Sequence, residues 1–198
     1  MGWGDRELRR DVMNEISIGK YSIIFYEVPD YNENSTDNLP YDDVIDFDDG
    51  FNKTIAAEIS DGIDTRKIAL IVPYYTPHED FALPMGDKVF LMLNDILCVF
   101  DPETGKAEKE THIDPMGTMF GAYAYGDDFI LYGEIEIYRI DRDFKIKWRF
   151  FARDIFVRCD GGDPAFQMKA DRICLYDFLD NYYEIDYDGK IILDRPVK

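Results

Sequence analysis

Apolar residues in this chain gather in short runs rich in β-branched and aromatic side chains, separated by clusters of Asp, Asn, Gly and Pro. That rhythm predicts strands and tight turns. The run KYSIIFYEV, residues 20–28, reads as a strand closed by Pro29, and KIALIVPYY, residues 67–75, reads as another that ends in coil around Pro77. Between them, residues 30–40 contain almost no apolar side chain and read as a loop. At the front, Leu8 and Val12 lie four apart behind Asp5 as a candidate N-cap, which predicts a short N-terminal helix over residues 5–14.

From Phe81 onward the pattern becomes periodic. Three segments open with Asp and a charged residue before a strand, at Asp87-Lys88-Val89, Asp127-Asp128-Phe129 and Asp171-Arg172-Ile173. A later strand in each ends in an aspartate, Asp101, Asp141 and Asp186, which follow their openings by 14, 14 and 15 residues. A turn, a Lys and a further strand come next. The turns Asp101-Pro102-Glu103-Thr104-Gly105-Lys106 and Tyr187-Asp188-Gly189-Lys190 have hairpin chemistry, with Gly supplying a positive φ, whereas the middle copy turns at Arg142-Asp143 without glycine.

With the apolar stretch before each opening, every unit holds four strands, as in MFGAYAYG, DFILYG, EIEIYRI and KIKWRFF around the middle copy. A four-stranded meander recurring at about 40 to 45 residues resembles a β-propeller blade. The turn after a strand ending in Asp is similar to blades of quinoprotein-type propellers, and the resemblance covers residues 81–197. It implies the fold of the blade and no particular function, since propellers host enzymes, scaffolds and inhibitors alike. The expected architecture is mostly β: one domain over residues 1–198, an antiparallel meander of three to four blade-like repeats, open or partly closed. The units fall at residues 81–113, 118–152 and 164–197, with a degenerate copy at about 20–60. In that copy VIDFDDGFNK, residues 44–53, imitates the strand, Asp, turn and Lys order, and the polar loop before it is an insertion.

Composition changes the picture mainly through charge. Lys and Arg number 22 against 41 Asp and Glu, a formal net charge of −19. Such a field repels phosphate backbones and anionic lipid and attracts cationic partners, so neither nucleic acid nor a membrane surface is expected as a partner. The opening residues carry charges where a secretory signal needs an apolar run, and no stretch approaches the roughly 18 apolar residues of a membrane span. These features place the expected protein in the cytoplasm. Cys98, Cys159 and Cys174 form no C-x-x-C pair and lie among apolar residues, as reduced core thiols do.

Candidate chemistry is sparse. His78 and His112 have no metal-ligand spacing, and Ser17, Ser22, Ser35 and Ser60 lie in no nucleophile elbow. Neither Gly19-Lys20-Tyr21 nor Gly105-Lys106-Ala107 makes a phosphate cradle. Glu184, Asp186 and Asp188 imitate the start of a calcium loop, but Arg195 stands where its bidentate acid belongs. Glu134 and Glu136 lie on one strand face, an arrangement that so acidic a chain produces by chance. No cofactor or metal is expected.

The densest acidic cluster, Asp42, Asp43, Asp46, Asp48 and Asp49, surrounds Phe47 and is flanked by Tyr41 and Phe51. Carboxylates accept Arg and Lys while aromatics anchor, so these residues are the candidate binding site for a cationic protein. The expected function is non-enzymatic protein binding, in concrete form an immunity-type inhibitor of a basic toxin such as a nuclease. The alternatives are a small-ligand binder or enzyme with an aromatic-lined pocket, and a structural scaffold subunit.

Overall fold

The computed structural model describes residues 11–29, 31, 41–47, 50–113, 117–158 and 162–197, and every described element is a strand. The first sheet contains β1 Val12–Ile18, β2 Tyr21–Glu27, β3 Asp43–Asp46, β4 Asn52–Ser60 and β5 Thr65–Pro73, in the order β1-β2-β4-β5-β3. The second runs β6 Ala82–Met85, β7 Lys88–Leu93, β8 Ile96–Asp101 and β9 Lys106–His112 in chain order. The third runs β10 Met119–Tyr125, β11 Asp128–Gly133, β12 Glu136–Ile140 and β13 Ile146–Phe151. The fourth runs β14 Phe166–Met168, β15 Ile173–Tyr176, β16 Tyr182–Ile185 and β17 Ile191–Arg195. Each is a blade-like antiparallel meander, with a parallel fifth strand added to the first.

The blades stack in a row because each buries its apolar faces against its neighbours. Blades 1 and 2 share a core built around Phe25, Ile55, Leu70, Phe81, Leu91 and Phe100. Phe90 stacks on Phe129 at 4.3 Å in the core between blades 2 and 3. Ile130, Phe156, Leu175 and Tyr183 fill the third joint. No cluster among the described residues joins blade 4 to blade 1, so the row is not closed into a ring. Contacts of β1 with β6 and of β6 with β10 place the first strand of each of these blades on the inside, which leaves β3, β9, β13 and β17 at the outer rim.

The repeated aspartates have a common physical task. Asp101 Oδ1 accepts the Glu103 N–H at 2.8 Å, Asp141 Oδ1 those of Asp143 at 2.8 Å and Lys145 at 3.0 Å, and Asp186 Oδ1 those of Asp188 at 2.9 Å and Lys190 at 2.8 Å. Each carboxylate thus satisfies turn amides that the strand ladder cannot reach. Each turn is also held by a cation of the preceding blade. Arg66 donates to the carbonyls of Pro102 and Glu103, Lys109 to that of Arg142 and to Asp143, and Arg139 to that of Tyr187. In blade 3, which lacks the turn glycine, Phe144 itself takes φ 63°, and its ring packs into the core against Phe90 at 5.5 Å. That burial offsets a left-handed conformation costing about 1–3 kcal/mol.

Two expectations about the front of the chain need correction. Residues 11–14 are not helical: β1 spans Val12–Ile18, and residues 5–10 lie outside the described residues. Ile16 and Ile18 face the core while Glu15 and Ser17 are exposed, a period of two that outweighs the spacing of Leu8 and Val12. The front of the chain forms a sheet of its own, from Val12 to Pro73 and so wider than residues 20–60, and VIDFDDGFNK is not a hairpin of it. β3 and β4 do not pair; β3 runs parallel to β5, Val44 opposite Ala69. The equivalent turn lies at Asp61, whose Oδ1 accepts the N–H groups of Ile63 at 3.1 Å and Asp64 at 3.0 Å between β4 and β5. Residues 28–51 are therefore an insertion between the second and third strands of blade 1.

Candidate functional site

The insertion is fastened to the rim of blade 1 before it reaches the cleft. Asp42 clips it at one end: its N–H donates to the Lys67 carbonyl at 2.8 Å, and its carboxylate accepts the Lys67 N–H at 2.7 Å. At the other end the Phe47 N–H donates to the Ile71 carbonyl at 2.9 Å, and the Tyr74 N–H to the Phe51 carbonyl at 3.0 Å. Beside this return, Lys53 Nζ donates to the Thr76 carbonyl at 2.8 Å and faces Glu27 at 3.9 Å. Burial pulls the Lys53 ammonium below its ordinary pKa, against the opposing pull of Glu27.

This return brings three aromatic rings together at the surface. Phe51 lies 4.3 Å from Tyr74 and 6.3 Å from Tyr75, and the two tyrosines meet edge to face at 5.6 Å. They remain 67%, 48% and 59% exposed. With Asp46, Phe47 and Pro73 they form one wall of an open cleft of about 650 Å³ between blades 1 and 2. Asp95, Ile96 and His112 form the other wall, and His112 Nδ1 sits 2.7 Å from Asp95 Oδ2. Tyr75 continues into a second cleft of about 420 Å³, lined by His78, Glu79, Asp80 and Phe120 between blades 2 and 3. Phe120 then borders a third of about 280 Å³ with Tyr132, Phe156 and Arg158. All three lie at the end of the molecule where the chain passes from blade to blade.

The acidic cluster does not act as one surface. Asp42 is spent on the backbone clip. Asp43 is exposed and accepts the Val44 N–H at 2.9 Å. Its partner across the sheet is Ile68, while that of Asp46 is Ile71, so the two carboxylates lie on opposite faces of β3. Asp46 is the described carboxylate of the cluster that lines the cleft; Asp48 and Asp49 lie outside the described residues. Phe47 is corrected from exposed anchor to core residue: it is 8% exposed and packs between blades 1 and 2. Two residues after Ile45, which packs against the same core, Phe47 continues that face of the strand inward.

Sequence reasoning passed over Tyr74, Tyr75 and the Asp95–His112 pair. The signal was present in PYYTP, where two aromatics follow the end of an apolar strand and precede a second proline. Chemically, the cleft offers aromatic faces for a cation and carboxylates for its hydrogen bonds. Among the described residues that line it, none is a Ser, Cys or Thr beside His112. Among the described residues, no three His, Cys, Asp or Glu side chains converge to hold a metal ion. Cys98 and Cys174 are buried free thiols, and burial pushes the Cys98 thiol above its ordinary value. Among the described residues, no helix is long and apolar enough to cross a membrane.

The fold defines a blade-repeat β protein whose four sheets fit propeller-like blades. No family model matches the chain, nor does any curated protein sequence. Among solved structures it is similar to BamB from Moraxella catarrhalis, at 16% identity over 56% of this chain and 34% of that one, with a TM-score of 0.39. A protein of unknown function from Bacteroides caccae matches at 13% identity over 74% and 64%, TM-score 0.43. Hsv2 from Kluyvelomyces marxianus matches at 10% over 71% and 43%, TM-score 0.39. The chain spans less than two thirds of the length of each of these structures.

Proposed function

We propose that this chain is a non-enzymatic binding module that docks a cationic protein on the cleft between blades 1 and 2. The observation that carries the reading is the exposed Phe51, Tyr74 and Tyr75 cluster beside Asp46 and Asp95. Aromatic side chains at the centre of a contact supply most of its affinity, and Lys or Arg stacks on their faces while the carboxylates accept its N–H groups. The net charge of −19 adds long-range attraction that accelerates encounter with a basic protein. A toxin with a basic, phosphate-binding active site is a concrete partner of that chemistry, and an immunity-type inhibitor is the corresponding role.

The test compares capture from the native cell lysate by the wild type and by a Phe51→Ala/Tyr74→Ala/Tyr75→Ala variant, at low and high salt. The expected result is a stoichiometric basic protein held by the wild type at low salt and lost both with salt and with the three substitutions. Equal capture by wild type and variant, or a captured protein indifferent to salt, overturns the reading. A captured nuclease whose activity the wild type suppresses in a purified assay, and the variant does not, identifies the inhibitor role.

A further inference from the structure

The cleft between blades 1 and 2 does not stand alone. Tyr75 lines both that cleft and the next, of about 420 Å³ between blades 2 and 3, so one ring divides two adjoining depressions. Each contains two carboxylates, Asp46 and Asp95 in the first and Glu79 and Asp80 in the second. Among the described residues, neither lining includes a Lys or an Arg. Phe120 carries the surface on to the third cleft, but that one contains Arg158, whose guanidinium is paired with Asp180 at 3.0 Å. The acidic track therefore covers two inter-blade joints and stops there.

The groups of this track are held in place by the backbone around them. The Thr76 N–H donates to the Pro73 carbonyl at 2.9 Å, which closes the turn carrying Tyr74 and Tyr75, and Lys53 Nζ holds the Thr76 carbonyl at 2.8 Å. In the second cleft Asp80 takes φ 55°; its carbonyl accepts the Ala122 N–H at 2.7 Å and its carboxylate accepts the Tyr123 hydroxyl. A surface fixed before contact loses little freedom on binding, and it suits an occupant that adapts to it.

The spacing of the two clefts selects the shape of that occupant. Packed sheets lie about 10 Å apart, so successive inter-blade joints repeat at about that interval. In a polyproline II segment, residues i and i+3 lie on one side, about 9.3 Å apart. An extended β chain places same-side residues about 6.8 Å or about 13.6 Å apart, which falls short or overshoots. A helix reaches the span at i and i+7, but a groove-bound helix buries an apolar face, whereas these depressions hold carboxylates. Aromatic-lined grooves are the common seats of polyproline II segments. We propose that the partner's contact is an extended basic segment in polyproline II conformation, which crosses Tyr75 and places one Lys or Arg in each of the two clefts, three residues apart. This deepens the docking reading above and rests on it.

The test is fluorescence anisotropy of labelled, end-capped peptides of equal charge at low salt: Arg-Pro-Pro-Arg, Arg-Arg-Pro-Pro, Arg-Pro-Pro-Pro-Pro-Arg, and an alanine-rich helix with its two Arg residues seven apart. The wild type is expected to bind the first roughly fivefold more tightly than any of the others, because each of those seats only one cation. Tyr75→Ala is expected to weaken this binding roughly tenfold, since both clefts lose their shared ring, and Glu79→Gln/Asp80→Asn roughly threefold. Asn keeps an oxygen for the Tyr123 hydroxyl, all three positions are exposed, and an unchanged thermal midpoint confirms that the fold is intact. Equal affinity for the four peptides, tighter binding of the helix, or no binding of Arg-Pro-Pro-Arg up to about millimolar concentration overturns the proposal. The captured basic protein separates the two conclusions. A partner lost with Phe51→Ala/Tyr74→Ala/Tyr75→Ala but held normally by Glu79→Gln/Asp80→Asn leaves the docking reading in place and overturns the segment that spans both clefts.

Discussion

Blades 1 and 4 use the same connection, between their second and third strands, in opposite ways. In blade 4, Asp177 is fully buried there and gathers donors from its own turn: the N–H groups of Leu179 at 3.1 Å and Asn181 at 3.0 Å, the Asn181 amide at 2.9 Å and the Tyr183 hydroxyl at 2.8 Å. The turn spends its polar groups on holding itself closed. In blade 1 the same position opens into residues 28–51, which add β3 to the rim and deliver Phe51 to the surface beside Tyr74 and Tyr75. The connection that blade 4 closes on a buried carboxylate is thus the one that blade 1 opens to present side chains at the surface, as loops on a rigid frame generally do.

The largest effect is therefore expected where the connection is closed. Asp177→Ala leaves the Asn181 side-chain amide, the Asn181 backbone N–H and the Tyr183 hydroxyl without their acceptor in a buried site, and the part-buried Leu179 N–H with them. Unsatisfied buried donors cost roughly 1–3 kcal/mol each, and partial relaxation brings the expected loss to about 4 kcal/mol. Denaturant unfolding monitored by tryptophan fluorescence measures it directly. A loss below about 1 kcal/mol would mean that the turn of blade 4 is as dispensable as an ordinary loop, and the contrast with blade 1 would fail.

Phe47→Ala is next. The insertion is attached through this ring, which is 8% exposed in the core between blades 1 and 2. Its removal is expected to cost roughly 3 kcal/mol, at the low end for a buried Phe. The loss should appear in the same cooperative unfolding transition as that of core variants, since the ring belongs to the core. A near-zero cost would return Phe47 to the surface role that the sequence suggests for it.

The difference between these two blades also explains what could be read in the sequence. Blades 2 to 4 were legible because one physical demand recurs at nearly fixed spacing: an Asp that accepts turn amides, at Asp101, Asp141 and Asp186. Blade 1 obeys the same demand at Asp61, but the insertion separates its second and third strands and erases the spacing by which the repeat was recognised. VIDFDDGFNK, residues 44–53, then offered a false copy. The site was half legible for a related reason. Acid density identifies a segment, yet which carboxylates face a cleft depends on the pairing of β3 with β5, a parallel contact that local pattern does not encode. Tyr74 and Tyr75 reach the site only through the turn that follows β5.

That equivalence between Asp61 and Asp101 can be tested by pH. The N–H groups of Asp64 and Ile63, with Lys20, hold the Asp61 carboxyl down at about 2. Burial raises the pKa of Asp101, but the N–H groups of Glu103 and Thr104, with Lys88, outweigh it and hold this carboxyl below its ordinary value as well. A carboxyl depressed in the folded state stabilises it above the ordinary carboxyl pKa of about 3.9, and that contribution fades as pH falls through the folded value. Asn keeps the turn-accepting oxygen and removes the charge. Asp61→Asn is thus expected to lower the thermal midpoint near neutral pH, with the gap from wild type narrowing as pH drops from about 4 toward about 2. Asp101→Asn should trace the same course. A gap for Asp61→Asn that stays constant with pH would separate the two turns.

The smallest effect on stability is expected at the residue proposed to matter most for binding. Phe51 is 67% exposed, so Phe51→Ala removes little apolar area from the folded core and should change unfolding free energy by no more than about 0.5 kcal/mol. Its ring nevertheless packs on Tyr74 at 4.3 Å, and an aromatic anchor at the centre of a contact is worth about 2 kcal/mol, roughly 30-fold in Kd. Titration calorimetry with the captured basic protein should show that loss for Phe51→Ala and none for Ile63→Ala, whose side chain is 90% exposed at the opposite end of blade 1. Because neither substitution disturbs the core, a difference between them in affinity measures the place of the side chain and not the health of the fold. If both bind as wild type, the insertion of blade 1 serves the sheet alone, and the partner surface lies elsewhere on the row of blades.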